Sequence, residues 1–362
     1  MKWILWLLLL VQVTAEPRMR ARQAGIVIGR LPTGAYNAIT DVPGVRVGQT
    51  TLWRGQGKLV PGAGPVRTGV TAVLAGPDPW AFRYPASAFV LNGNGEVSSL
   101  AYLQDIGWLE SPILLTNTLN LGKVSDACVA WLIGKHPEIG VTDDVPIPVV
   151  CECDDSYLND IQGRHVGQAE VFAALDGARS GPVSEGAVGA GTGMVCYEYK
   201  GGIGTSSRRS GEYHVGVLVN ANHGSREELR VNGRPLEIAA ADFKRLSEGS
   251  IILVVATDAP LNSSQLNRLA RRAAMGLART GSSAHHGSGD LVVAFSTANA
   301  RPRAELGVLS IRALADQALD PLYQATVEAA EEAILNALCS AETTIGRDGH
   351  TVEALPLNLL RR

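Results

Sequence analysis

Four short segments of this 362-residue chain carry side chains that could act together as a nucleophile, a proton relay, an oxyanion donor and a cation anchor. Gly249-Ser250 opens the strongly apolar run SIILVVATD. Gly-Ser is a common loop pair, so a plain turn into a strand is one reading. The chemical reading is that the chain is cut before Ser250, whose freed α-amine then acts as general base for its own hydroxyl, as at N-terminal threonine nucleophiles. The magnitudes suit this. An α-amine titrates at about 7.7–8.0 against about 10.4 for lysine, which leaves a usable neutral fraction near pH 7. Gly249 tolerates the backbone strain that a self-attacking peptide bond needs.

The other three segments each have a plain and a chemical reading. HHGSGD sets Ser288 and Asp290 at the entrance to the run LVVAFSTAN. It is either a Gly-rich hairpin turn, or a hydroxyl and a carboxylate placed to orient an amine and relay a proton. VNANHG ends a strand on Asn222, which is either a turn asparagine or an amide donor to an oxyanion. Glu152 stands inside the apolar run VVCECDD, where a carboxylate is costly unless it is paired. A buried structural ion pair would satisfy it, and so would the ammonium of a substrate.

Other motifs narrow the chemistry. The run GAVGAGTGM has neither the Gly-Lys-Ser/Thr ending of a P-loop nor the GxGxxG spacing, so it reads as a loop whose backbone must approach something closely. Cys151 and Cys153 share one strand face with side chains aimed in parallel, which disfavours pairing with each other. Cys128, Cys196 and Cys339 stand in apolar surroundings and read as buried thiols. No CxxC, HExxH or His-x-His spacing occurs, and His285-His286 are adjacent, so no metal and no cofactor is expected.

These residues need a scaffold, and the chain supplies one. Hydrophobic residues make up 46% and charged residues 19%, a globular balance, while a net charge of −3 without a basic stripe argues against a nucleic-acid partner. Strand-like runs recur between Gly-rich turns: VRVGQTTL, GVTAVLA, ASAFVLNG, IPVVCEC, YHVGVLVNA, SIILVVATD and DLVVAFSTAN. Several read as buried on both faces. Helices are expected over Ser98–Gly107 and Lys123–Ile133. Another follows Asn262, with Leu266, Leu269, Ala270, Ala273, Ala274 and Leu277 on one face. A last one is expected from Asp320, capped by that residue with Pro321 in its first turn. Mixed elements without strict βαβ alternation favour a layered α/β or α+β architecture over a Rossmann sheet. The polar stretch GTSSRRSGEYH reads as a surface loop carrying Arg208 and Arg209, and RLSEGS as a second break in the pattern. Before all this, Lys2, the apolar run WILWLLLLVQV and Val13-Thr14-Ala15 have the layout of a secretory signal peptide. That run is too short to span a bilayer. Residues 1–15 are therefore expected to direct export to the periplasm or the medium, with no membrane association afterwards.

In this order, AITDVPGVRVG, RTGVTAVL, NGNGEV, SPILLTNT, LNDIQGRHVG, GAGTGMVCYEYKGGIGTSSR, VNANHG, EGS and HHGSGDLVVAFSTAN resemble the DmpA/BapA family of self-cleaving N-terminal-serine aminopeptidases. The resemblance covers nearly all of the chain after the leader. It implies a single catalytic domain folded as a four-layer α/β/β/α sandwich of Ntn-hydrolase-like kind, cut into residues 16–249 and 250–362. It implies Ser250 as nucleophile, Ser288 and Asp290 as its supporting pair, Asn222 as oxyanion donor and Glu152 as receiver of the substrate's amino group. Small peptides, amino-acid amides or esters would be the substrates, and a tetramer or larger homo-oligomer the assembly. The family's E-T-Y-D-G stands here as Glu152-Cys153-Asp154-Asp155-Ser156, so Asp154 replaces a tyrosine expected at the substrate site. That carboxylate would repel an oxyanion, attract a basic substrate, or turn outward. The rival expectations are a related self-cleaving acyltransferase and an uncut relative that only binds.

Overall fold

The computed structural model describes residues 17–236 and 249–361; the leader over residues 1–15 and most of RLSEGS lie outside them. The main elements in chain order are β1 (Arg46–Arg54), β2 (Val66–Leu74), β3 (Phe82–Gly93), α1 (Leu100–Asp105), β4 (Ile113–Asn117), α2 (Leu121–Lys135), β5 (Val149–Cys153), α3 (Gln168–Asp176), β6 (Gly202–Ser210), β7 (Tyr213–His223), β8 (Gly249–Thr257), α4 (Ser263–Arg279), β9 (Gly289–Ser296) and α5 (Asp320–Ser340). They form two sheets. The first has the order β1-β2-β4-β5, and the second runs β3-β9-β8-β7-β6 with two short edge strands beside β3. β8 and β9 are parallel neighbours at the centre of the second sheet, and all other pairs in it are antiparallel.

The period-two alternation of the apolar strands explains the stacking. In β8, Ile252, Val254 and Ala256 meet Cys151 and Cys153 of β5 and Val73 of β2 between the sheets. The alternate residues Ile251, Leu253 and Val255 pack against α4 and α5. On the far side, Val70 and Ala72 of β2 and Val150 of β5 pack against α2 and α3. The result is α/β/β/α, as the sequence resemblance implies. All five cysteines are buried free thiols.

Local signals placed α4 well. Asn262 accepts from the Gln265 amide at 2.9 Å and Gln265 reciprocates, a capping box. All six apolar positions read from the sequence are buried. Three features differ from expectation. α3 has no strong sequence signature and was not anticipated. Asp320 does not cap α5; Leu319 is the N-cap, and Asp320 lies inside the first turn, where its charge favours the helix dipole. The expected surface loop around Arg208 and Arg209 is instead the hairpin of β6 and β7, with Arg208 wholly buried. Its guanidinium bonds Glu332 at 2.6 Å and Glu328 at 3.2 Å, both on α5. A polar sequence is buried here because a distant helix brings carboxylates to it.

The Gly-rich run does make close approaches. A Cβ on Gly189 would lie 2.3 Å from the Thr71 hydroxyl, and one on Gly193 2.3 Å from the Arg67 carbonyl. Any larger residue would push this loop off β2.

Candidate active site

Ser250 comes at the start of β8, and register alone gathers two of the other segments around it. Across the antiparallel β7–β8 ladder it faces Asn222, and across the parallel β8–β9 ladder it faces Gly289. A run as apolar as Ser250–Ala256 can bury both faces only in a central strand, so its first residue is held between two neighbours. Ser250 is buried, and its Oγ accepts the Gly289 N–H at 3.1 Å. Gly249 has φ +80°, a left-handed conformation that costs glycine nothing and would strain other residues. The peptide before Ser250 therefore sits in a bend that only this residue type tolerates well.

One cavity of about 550 Å³ opens here, lined by Gly249, Ser250, Glu152, Asp154, Thr118 and Glu96, among others. Ser288, Asp290 and Asn222 are not part of its lining. They form the layer behind it. The Ser288 hydroxyl donates to Asp290 Oδ1 at 2.8 Å, and both residues are buried. Asp290 Oδ2 has no hydrogen-bond partner among the described residues. Burial pushes the Asp290 carboxyl up to about 6, with the Ser288 hydroxyl opposing the shift. The loop that carries this pair is held by amides the sequence did not single out: Asn92 Nδ2 donates to the His285 carbonyl at 2.8 Å and Asn94 Nδ2 to that of Gly287 at 2.7 Å.

If the chain cuts itself before Ser250, with Asp290 accepting a proton through Ser288, the carboxylate form of Asp290 is the active one. That form is lost as the pH falls through about 6. The cutting rate is therefore expected to drop tenfold per pH unit well below that point. Asp290→Asn should cut roughly 10²–10⁴-fold more slowly and show no such limb. Timed electrophoresis of freshly refolded precursor across pH 4.5–8 measures both, and an unchanged limb in the variant removes Asp290 from the relay.

Asn222 is fully buried and held at both ends of its amide. Oδ1 accepts from the Val195 N–H at 2.8 Å, and Nδ2 donates to the Asp154 carbonyl at 2.8 Å. Those two bonds fix which end of the amide is the nitrogen. Glu152 is buried at the cavity wall, where it accepts the Glu96 N–H at 2.9 Å and the Thr118 hydroxyl. Burial raises its pKa, while these two donors pull the other way. The buried ion pair that would have been its plain explanation does not occur: among the described residues no cation pairs with it. Asp154 lines the cavity, and its Oδ1 accepts the Ser156 N–H at 2.8 Å. Thr118 escaped the sequence reading because an isolated threonine carries no signal of its own.

With the geometry in hand, comparisons with known proteins give a consistent result. The model of peptidase family S58 matches residues 37–352. A curated relative, the beta-peptidyl aminopeptidase BapA of Sphingosinicella microcystinivorans, is 43% identical, with 98% of this chain and 94% of that protein covered. Among solved structures, the PH0078 protein from Pyrococcus horikoshii OT3 is 48% identical with a TM-score of 0.89, covering 94% of this chain and 97% of its own. The L-aminopeptidase D-Ala-esterase/amidase from Ochrobactrum anthropi is 40% identical with a TM-score of 0.87, at the same coverages. It is described as a prototype for the serine aminopeptidases and a new variant among the Ntn hydrolase fold.

Proposed function

The chain belongs to peptidase family S58, the serine-type N-terminal-nucleophile aminopeptidases, and from that premise we propose that it cuts itself before Ser250 and then releases N-terminal residues from small peptides, amino-acid amides or esters. The observation that carries this is a buried carboxylate without a cationic partner among the described residues, Glu152, sharing one cavity with Ser250. An aminopeptidase must hold an ammonium beside its nucleophile, and this cavity has an acid to spare for it.

In the first reaction Ser250 Oγ attacks the Gly249 carbonyl carbon. The Gly249–Ser250 C–N bond breaks, the acyl group moves to oxygen, and the proton lost by the hydroxyl reaches the leaving nitrogen. Water then hydrolyses the ester, freeing the Gly249 carboxyl and the Ser250 hydroxyl. No α-amine exists at that stage, which leaves Ser288 and Asp290, behind Ser250, as the groups available to move the proton. In the second reaction the freed amine takes the proton from Oγ as it attacks the substrate's first amide, then passes it to the substrate nitrogen as the C–N bond breaks and the shortened peptide or amine leaves. Asn222 and backbone N–H groups stabilise the oxyanion, Glu152 receives the substrate's ammonium, and water releases the acyl group. The N-terminal sequence of the smaller fragment tests the maturation directly: SIILVV is expected, and any other start moves the nucleophile. Products formed with an added amine acceptor separate hydrolysis from acyl transfer. Export of the mature protein and its assembly into a tetramer or larger belong to the same proposal.

Substrate preference turns on Asp154. Asp154 adds a carboxylate to Glu152 and Glu96 in the cavity lining, which favours a basic first residue. Asp154→Asn is expected to lower kcat/KM for lysyl p-nitroanilide by roughly three- to tenfold relative to the norleucyl compound, a partly screened charge interaction of about 1 kcal/mol. Equal losses on both would mean that Asp154 acts on the ammonium the two substrates share.

A further inference from the structure

Lys200 is among the buried ionisable groups to which the site described so far gives no role. Lys200 lies in the hairpin of Val195–Cys196 and Tyr199–Lys200, whose turn residues Tyr197 and Glu198 both have left-handed φ. Its side chain is wholly buried and forms no ion pair with a carboxylate among the described residues. The ammonium instead donates to three backbone carbonyls: Met194 at 2.8 Å, Gly201 at 2.8 Å and Gly191 at 3.0 Å. Three donors on three acceptors satisfy it fully.

The Met194 carbonyl belongs to the same peptide unit as the Val195 N–H. That N–H donates to Asn222 Oδ1 at 2.8 Å, and Asn222 stands directly across the ladder from Ser250. A cation is thus joined to the oxyanion candidate through two amide groups in series. A positive charge on a carbonyl oxygen draws electrons from its nitrogen and strengthens the N–H as a donor. The strengthened donor does the same to the Asn222 amide, so the effect passes on to Nδ2.

We propose that Lys200 is a positioning and polarising residue for the oxyanion donor: through the Met194–Val195 peptide it fixes the Asn222 amide and makes its nitrogen a stronger donor to the transition state. This rests on the assignment of Asn222 to the oxyanion. Burial lowers the Lys200 pKa to about 7, with nearby Cys196 and Asp155 opposing the shift. What places the charge where it can act is the geometry: all three ammonium donors go to carbonyls within nine residues of it, one of them the carbonyl of the Met194–Val195 peptide.

The test is a double-mutant cycle in the mature enzyme, with Lys200→Met and Asn222→Ala alone and together. Lys200→Met keeps most of the side-chain bulk without the charge. It is expected to lower kcat about tenfold with KM unchanged, as befits a group acting only in the transition state. It should weaken an aminoaldehyde inhibitor, which forms the tetrahedral adduct, by the same factor, while product amino acid binds as before. In the Asn222→Ala background the same substitution should change kcat less than twofold, since the group it acts through is gone. Additive losses, or a rise in KM with kcat unchanged, overturn the proposal. Lys200→Gln, which keeps N–H donors but no charge, is the second variant. If neither variant folds, Lys200 only holds the loop and the proposal fails. If Asn222→Ala alone leaves kcat unchanged, the oxyanion assignment fails first, an outcome distinct from a null result at Lys200.

Discussion

Ser250→Ala is expected to leave one uncut chain with no aminopeptidase activity, where the wild type is expected to give two fragments, one on each side of that bond. The loss should be about 10⁶-fold, the scale on which removing a hydrolase nucleophile acts. The variant should nevertheless fold. Alanine fits the start of a central strand, and the change removes one acceptor from the Gly289 N–H, worth about 1 kcal/mol. Its melting temperature should stay within a few degrees of the uncut wild type, which separates loss of chemistry from loss of structure. Denaturing electrophoresis and a chromogenic aminoacyl substrate read the two halves of the prediction. Cutting of the variant at the same bond would show that another group attacks Gly249.

The second large effect is on stability. Arg208 is fully buried, and besides its two carboxylates it donates to the Ser207 and Ile28 carbonyls at 2.8 Å each. Glu332 also receives Arg22 at 2.9 Å, and Glu328 accepts the N–H groups of Arg30 and Leu31 at 3.0 Å. This cluster ties α5 to β6 and to the N-terminal segment, so it bridges the two sides of the Gly249–Ser250 bond. Arg208→Ala leaves Glu328 without its guanidinium and Glu332 with the partly exposed Arg22 as its cation and the Asn37 amide as a neutral donor. The expected cost is about 3–5 kcal/mol, the usual scale for a buried charge stripped of its partner. Urea unfolding of the uncut Ser250→Ala chain with and without Arg208→Ala gives the number, and a change below about 1 kcal/mol would mean that the carboxylates find other partners. In the cut protein the same substitution should also let the two fragments separate at lower urea, because the covalent link no longer helps to hold them.

How far these features could be read from the sequence depends on the range of the forces behind them. The helix after Asn262 was legible because its cap and its apolar face are both local: Asn262 and Gln265 are three residues apart, and the stripe repeats every turn. The strands were legible because β-branched runs such as Ile251–Val255 have few other uses. Arg208 was not legible. Thr-Ser-Ser-Arg-Arg-Ser carries every mark of a surface loop, and only the arrival of Glu328 and Glu332, 120 and 124 positions away, makes its burial affordable. Thr118 was silent for the same reason, since its partner Glu152 comes from another element.

The cut site shows the same division. The sequence determined which residue types stand at Gly249-Ser250, that a strand begins there, and which other segments hold a hydroxyl, a carboxylate and an amide. Strand register decided that Asn222 and Gly289 stand beside Ser250, the latter 39 positions away, because hydrogen-bonded ladders fix neighbours that no local pattern encodes. Packing decided that, among the described residues, Glu152 meets two neutral donors and no cation, and that Asp154 lines the same cavity. A side chain's chemistry belongs to its residue, but whether a buried charge is already neutralised depends on every element that closes around it.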